Sequence, residues 1–191
     1  MASQATARKV EELALPTPGT WEIDDSHSSV GFVARHFMIS RVKGRFQSVS
    51  GQLTIGATPE ASSVAATMDA ASIDTADATR DAHLRSPDFL DVEKYPTLEF
   101  RSTYARQLDE STLRLDGDLT IRDVTRPVSL EVSYLGLLND PMAGERVAFS
   151  AETEIDREDW GITWNKALET GGVLVGRKVK IELEIEAVRK G

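Results

Sequence analysis

Chemistry-capable side chains are densest in Asp24-Asp25-Ser26-His27-Ser28-Ser29, where hydroxyls, carboxylates and an imidazole crowd six positions. A hydrolase needs a serine, a histidine base and a third group that orients the base, all converging in space. No Gly-x-Ser-x-Gly elbow is present, so the stretch reads as turn and strand chemistry, with His27 a hydrogen-bonded structural or mouth residue. His36 and His83 are the other histidines. His27 and His36 are nine positions apart and would face opposite sides of an uninterrupted strand, so no metal site is expected. The absence of cysteine excludes disulfides, thiolate catalysis and cysteine-based zinc or iron–sulfur centres. Arg80, Arg122, Arg126 and Arg157 are suited either to ion pairs or to holding a phosphate or polar head group.

The elements that must position these residues announce themselves by a period of two. In Val179-Lys180-Ile181-Glu182-Leu183-Glu184-Ile185-Glu186-Ala187 every odd position is apolar and every even one charged, which marks a strand with one dry and one wet face. The same alternation runs through Val30/Phe32/Ala34, Val64/Ala66/Met68/Ala70, Leu98/Phe100, Leu113 to Ile121, Val128 to Tyr134 and Phe149 to Ile155. With the segment from Val42 to Ile55 this makes eight candidate strands. That segment changes phase between Phe46 and Leu53, which predicts a bulge or bend around residues 47–51. Eight amphipathic strands suit a closed antiparallel barrel, with a two-sheet sandwich as the alternative.

Two connections exceed hairpin length. The first, between Ala70 and Thr97, predicts a short helix from Asp77 to Arg85, capped by Asp74 or Thr75, supported by an Asp81/Arg85 pair and stopped by Pro87. His83 is expected to brace this helix against the barrel, and Arg80 and Asp81 to fix it by ion pairs. The second, from Arg157 to Gly176, carries Trp160, Trp164 and the Gly171-Gly172 pair. Both are expected to cover or flank a barrel end. Residues 1–19 are polar and alanine-rich, end in Pro16-Thr17-Pro18-Gly19, and read as an extension ahead of one domain over residues 20–191. A net charge of -9 argues against nucleic acid and against general attraction to anionic membranes. No export-type apolar core or membrane-spanning run is seen, so a cytoplasmic location without stable membrane insertion is expected.

Three stretches share one family pattern: Trp21 to Phe32, Arg80 through Asp91 to Phe100, and Gly117 to Thr125. Together they resemble the YceI family. The resemblance implies an all-β fold, an eight-stranded antiparallel lipocalin-like barrel with short helices in its two long connections. It also implies a homodimer and an apolar interior that shelters a polyprenyl lipid or isoprenoid quinone, with no other cofactor. The expected ligand contacts are Val30, Phe32, Ala34, Phe46, Leu53, Met68, Phe100, Leu119, Phe149 and Leu183 on strands, with Trp160 and Trp164 from the second connection. Head-group contacts are expected from His27, Arg80, His83 and Arg122. Small inward residues such as Ala34, Ala66, Gly117 and Ala151 leave room, although a barrel of this size can equally be filled by its own side chains. Two other readings stand beside the carrier: an enzyme using His27 or His83 on an amphipathic substrate, and a packed barrel that binds a partner through its surface. Arg122-Asp123-Val124 departs from the pattern where relatives often carry glycine at the Asp123 position.

Overall fold

A computed structural model describes residues 15–191. Its strands are β1 (Gly19–Ile23), β2 (Ser29–His36), β3 (Ser40–Phe46), β4 (Val49–Ile55), β5 (Ser63–Asp69), β6 (Ile73–Asp74), β7 (Thr97–Gln107), β8 (Thr112–Ile121), β9 (Val124–Asp140), β10 (Gly144–Asp156) and β11 (Val175–Arg189), with helix α1 (Ala78–Arg85) between β6 and β7. All pairings between these strands are antiparallel.

These segments form eight staves, because three staves are single long strands broken in the middle. β1 and β2 lie one after the other along the same edge of β11, pairing from Trp21↔Arg189 to Val175↔His36. On their other side β1 meets β4 and β2 meets β3, so β3 and β4 also share a stave. β5 then pairs with β4 and β6 with β3. The ring runs on through β7, β8, β9 and β10 and closes where β11 meets β1. A closed barrel is the outcome, not the sandwich, and closure leaves no long unpaired edge.

The breaks lie side by side and are stitched together. The first is a short 3-10 helix, Asp25–His27, capped by Asp24, and the third is Ala70–Ser72, capped by Asp69. Between them Gln47-Ser48 interrupts the second stave, which is the bend expected there. Two residues out of register let Phe46 and Val49 both face inward. Asp25 accepts a hydrogen bond from Val49 N (2.8 Å), and Ser72 Oγ accepts one from Ser48 N (3.1 Å). The second stave thus keeps the Ser48 and Val49 N–H groups satisfied at its bend.

Two bulges reset the facing elsewhere. Register shifts at Ser102/Tyr104 in β7, so Leu98 and Phe100 point inward before it and Ala105 after it. Leu135 is the extra residue in β9, and it is exposed. Gly44 and Gly117 have a separate role. A methyl group at Gly44 would collide with the Phe32 ring, and one at Gly117 with the Phe100 ring and the Arg101 carbonyl. Each phenyl group lies across the bare backbone of a neighbouring strand. The space expected at Gly117 is therefore occupied by Phe100.

The connection before β7 forms a cap whose details differ from expectation. Asp77, not Asp74 or Thr75, caps α1 by accepting from Arg80 N. Asp81 is buried and accepts from Thr75 N (2.9 Å) and Thr75 Oγ1 (2.5 Å), so it does not pair with Arg85. Arg85 instead donates to the Ala71 and Ile73 carbonyls. Arg80 donates to Thr75 Oγ1 and Thr75 O, and reaches Asp77 only at 4.0 Å. Helix α1 is thus held by backbone carbonyls and a hydroxyl, because its charged side chains fold back over the preceding turn. His83 bonds Asp88 (2.8 Å) and packs edge-on against Trp164 (4.6 Å between centroids), which ties the first long connection to the second.

Candidate ligand cavity

An apolar cavity of about 860 Å³ occupies the barrel, and every stave contributes to its wall. Of the side chains expected from the sequence to contact a ligand, Val30, Phe32, Ala34, Phe46, Leu53, Met68, Phe100, Leu119, Phe149 and Leu183 line it. Trp160 and Trp164 do not. Trp160 is buried behind the wall, where its indole N–H donates to the Leu119 carbonyl (3.0 Å). Trp164 is turned to His83 and Phe89.

The two ends of the cavity differ. At one end Leu84, Phe89, Leu90 and Ile162 close over it, drawn from the two long connections. The other end is rimmed by the exposed residues Leu15, Pro18, Ala57, Thr58, Gln107 and Glu110, and forms the mouth. Phe89 and Leu90 fall inside a motif stretch but off any strand period. Gln107 lies past the β7 bulge, where phase extrapolated from Leu98 and Phe100 turns it outward, and Glu110 lies in the turn after β7, off any strand period.

Arg157 is the one cation in the wall among the described residues. It is 5 % exposed and donates to the carbonyls of Ile162 (2.7 Å) and Gly176 (3.0 Å), and among the described residues no carboxylate forms an ion pair with it. Burial pulls its pKa down from the ordinary arginine value. It fastens the start of the second connection to the start of β11 and places positive charge at the closed end.

None of the expected head-group contacts reaches the cavity. His27 projects from the 3-10 helix and its side chain is 58 % exposed. Ser26 Oγ (3.0 Å) and Asp24 Oδ2 (2.8 Å) both meet the same ring nitrogen, Nδ1, so this hydroxyl and carboxylate do not flank the ring from its two nitrogens as a triad requires. Asp24 also takes an ion pair from Arg146 (2.5 Å), and hydrogen bonds from Ser26 and Arg146 hold its carboxyl far below the usual carboxylate range. On α1, Arg80 is turned to Thr75 and His83 to Asp88, Phe89 and Trp164. Arg122 occupies the β8–β9 turn with φ 59° and stacks over Tyr95 (5.6 Å), so the tight turn forms without glycine. Among the described residues no group of three or more His, Asp or Glu side chains is placed to hold a metal ion.

A YceI-like domain model matches residues 21–187. The chain belongs to the YceI family. A UPF0312 protein of Ectopseudomonas mendocina is 37 % identical over 167 residues, covering 86 % of this chain and 83 % of that one. The YceI barrel also superposes on BcnA of Burkholderia cenocepacia with a TM-score of 0.77 at 22 % identity, over 87 % of this chain and 99 % of that one. A polyisoprenoid binding domain from Saccharophagus degradans, implicated in plant cell wall breakdown, gives 0.67 at 12 % identity, covering 91 % and 100 %. At those identities the two structures establish the shared YceI fold. The first and last matched residues, Trp21 and Ala187, mark the seam where β1 closes on β11.

Proposed function

We propose that this protein binds an isoprenoid lipid, of polyprenyl or isoprenoid-quinone type, inside the barrel, and stores or carries it without chemical change. The observation that carries this reading is one continuous apolar cavity whose charged wall residues, among the described residues, stand only at its ends: Arg157 at the closed end and Glu110 at the mouth. Such a space suits a long apolar chain with a single polar end. Its volume lies within the roughly 300–1,000 Å³ common to small-molecule sites. Each methylene-sized group moved from water into such a space contributes about 0.8 kcal/mol. The polyisoprenoid binding domain that shares this fold supports the choice of ligand class.

A binding role is preferred over catalysis because His27, His36 and His83 all lie outside the wall, away from any substrate the cavity would hold. The test is mild purification of the full chain, solvent extraction and mass spectrometry, followed by titration of the emptied protein with an isoprenoid quinone and a polyprenol. A near-stoichiometric isoprenoid, or saturable uptake of either probe, is expected. An empty extract together with no uptake refutes the proposal, and recovery of a chemically altered probe replaces the carrier with an enzyme.

A further inference from the structure

The hairpin formed by β2 and β3 carries features that neither the barrel nor its cavity uses. Its tip is Phe37-Met38-Ile39, three consecutive apolar residues that are 44, 56 and 83 % exposed. Phe37 and Met38 have φ of 52° and 60°, a region that bulky side chains rarely adopt and where hairpins ordinarily place asparagine or glycine. The backbone thus accepts an unfavourable turn to present two large apolar groups to the surroundings. The tip is anchored to the second long connection at the closed end of the barrel by Phe37 N donating to Leu174 O (2.9 Å).

Charge on the hairpin runs against the rest of the molecule. The chain carries -9 overall, yet residues 26–59 include Arg35, Arg41, Lys43 and Arg45 and no aspartate or glutamate. All four are exposed. They occupy the outer face, because Phe32 and Ala34 of the same hairpin point into the cavity. Arg35 lies directly opposite Arg41 across the two strands, a like-charge pairing that opposes folding. Among the described residues no ion pair involves Arg35, Arg41 or Lys43, while Arg45 lies opposite Asp74 on β6, whose carboxyl it helps to lower, and nearby Arg177 is paired with both Asp156 and Glu158.

We propose that this hairpin docks the protein on the surface of an anionic lipid bilayer, with Phe37, Met38 and Ile39 entering the interface and Arg35, Arg41 and Lys43 meeting the head groups. An apolar tip collared by cations matches a surface that is negative outside and apolar beneath. The net charge, which argues against general attraction to anionic membranes, describes the average surface. At this corner the local charge decides, because screening limits each charge's reach to about 10 Å at moderate salt. Docking would set the closed end of the cavity, built from both long connections, against the bilayer.

The test is co-sedimentation of the full chain with vesicles of phosphatidylcholine alone and of phosphatidylcholine mixed with phosphatidylglycerol. Binding is expected to the mixed vesicles and to fall with added salt. Phe37→Asn with Met38→Gly replaces the apolar groups by residues suited to the turn. This variant should keep or raise the melting temperature while weakening vesicle binding by tenfold or more, on the order of what several interfacial residues supply. Arg35→Gln with Arg41→Gln and Lys43→Gln should weaken binding similarly and remove its salt dependence. Unchanged partitioning of the tip variant, or no binding by the wild-type protein, overturns the proposal. If the tip variant instead shifts the oligomeric state and leaves vesicle binding unaltered, the tip is a contact between copies. Because vesicle binding is read independently of extracted lipid, failure here leaves the cavity reading standing, and the reverse also holds.

Discussion

Ala34→Trp separates a ligand cavity from a packed core. Ala34 faces the cavity from β2, between Val42 and Val179 on the flanking strands. In a tightly packed interior, so large an insertion costs about 1–3 kcal/mol through displaced neighbours. With about 860 Å³ of space in front of it, the indole enters the cavity and the ligand-free protein should lose less than that. The ligand response is what disappears. A ligand present at about one hundred times its Kd stabilises by about 2.7 kcal/mol, and in a chain of this length each kcal/mol moves Tm by about 2–4 °C. Adding an isoprenoid quinone to the emptied wild-type protein should therefore raise Tm by roughly 5–11 °C, and adding it to Ala34→Trp by little or nothing. The assay is thermal unfolding of emptied samples with and without added quinone, with extracted lipid measured on the same preparations. A well-folded Ala34→Trp protein that retains the full upward shift would show that the ligand does not occupy this cavity. A variant already destabilised by several kcal/mol without ligand would show that the space beside Ala34 is filled.

Gly117→Ala makes the opposite case, since the added methyl group meets the Phe100 ring and the Arg101 carbonyl; a loss of about 1–3 kcal/mol in denaturant unfolding is expected. Asp24→Asn removes an ion pair to Arg146, whose side chain is 12 % exposed, and should cost about 1–3 kcal/mol at neutral pH. Because the folded-state pKa of Asp24 is depressed, its contribution is complete above the unfolded value of about 3.9 and is lost as pH falls below it. Asp24→Asn should accordingly flatten the acid limb of the stability profile, which urea titrations from pH 7 downward would detect. Asp81→Ala strips Thr75 of two hydrogen bonds, so it should cost about 1–3 kcal/mol and accelerate amide exchange in α1 ahead of the barrel strands.

What could be read from the chain followed from local rules. Period-two alternation assigns faces residue by residue, so ten strand positions from Val30 to Leu183 stand in the cavity wall where the pattern put them. Pro87 and the polar run before it locate α1 in the same way. Legibility fails where a residue's role depends on a neighbour distant in sequence. Trp160 and Trp164 have the size and amphipathic character expected of cavity residues, but the Leu119 carbonyl claims one and the His83–Phe89 pair the other. Asp81 was four residues from an arginine and chose Thr75.

By itself the sequence determined an all-β chain of amphipathic strands, the family and, between bulges, which side chains face inward, because an uninterrupted strand alternates faces. Only the tertiary structure decided how much of the interior is empty, since a small residue opens space only if no neighbouring ring takes it: Phe100 fills the room at Gly117, while Ala34 still fronts the cavity. It alone decided that the two staves beside the expected bend at residues 47–48 are bent as well, that one end is closed by Leu84, Phe89, Leu90 and Ile162, and that the Phe37 tip is left outside on a basic hairpin. These outcomes rest on contacts between segments far apart in the chain, whose distances no local pattern encodes.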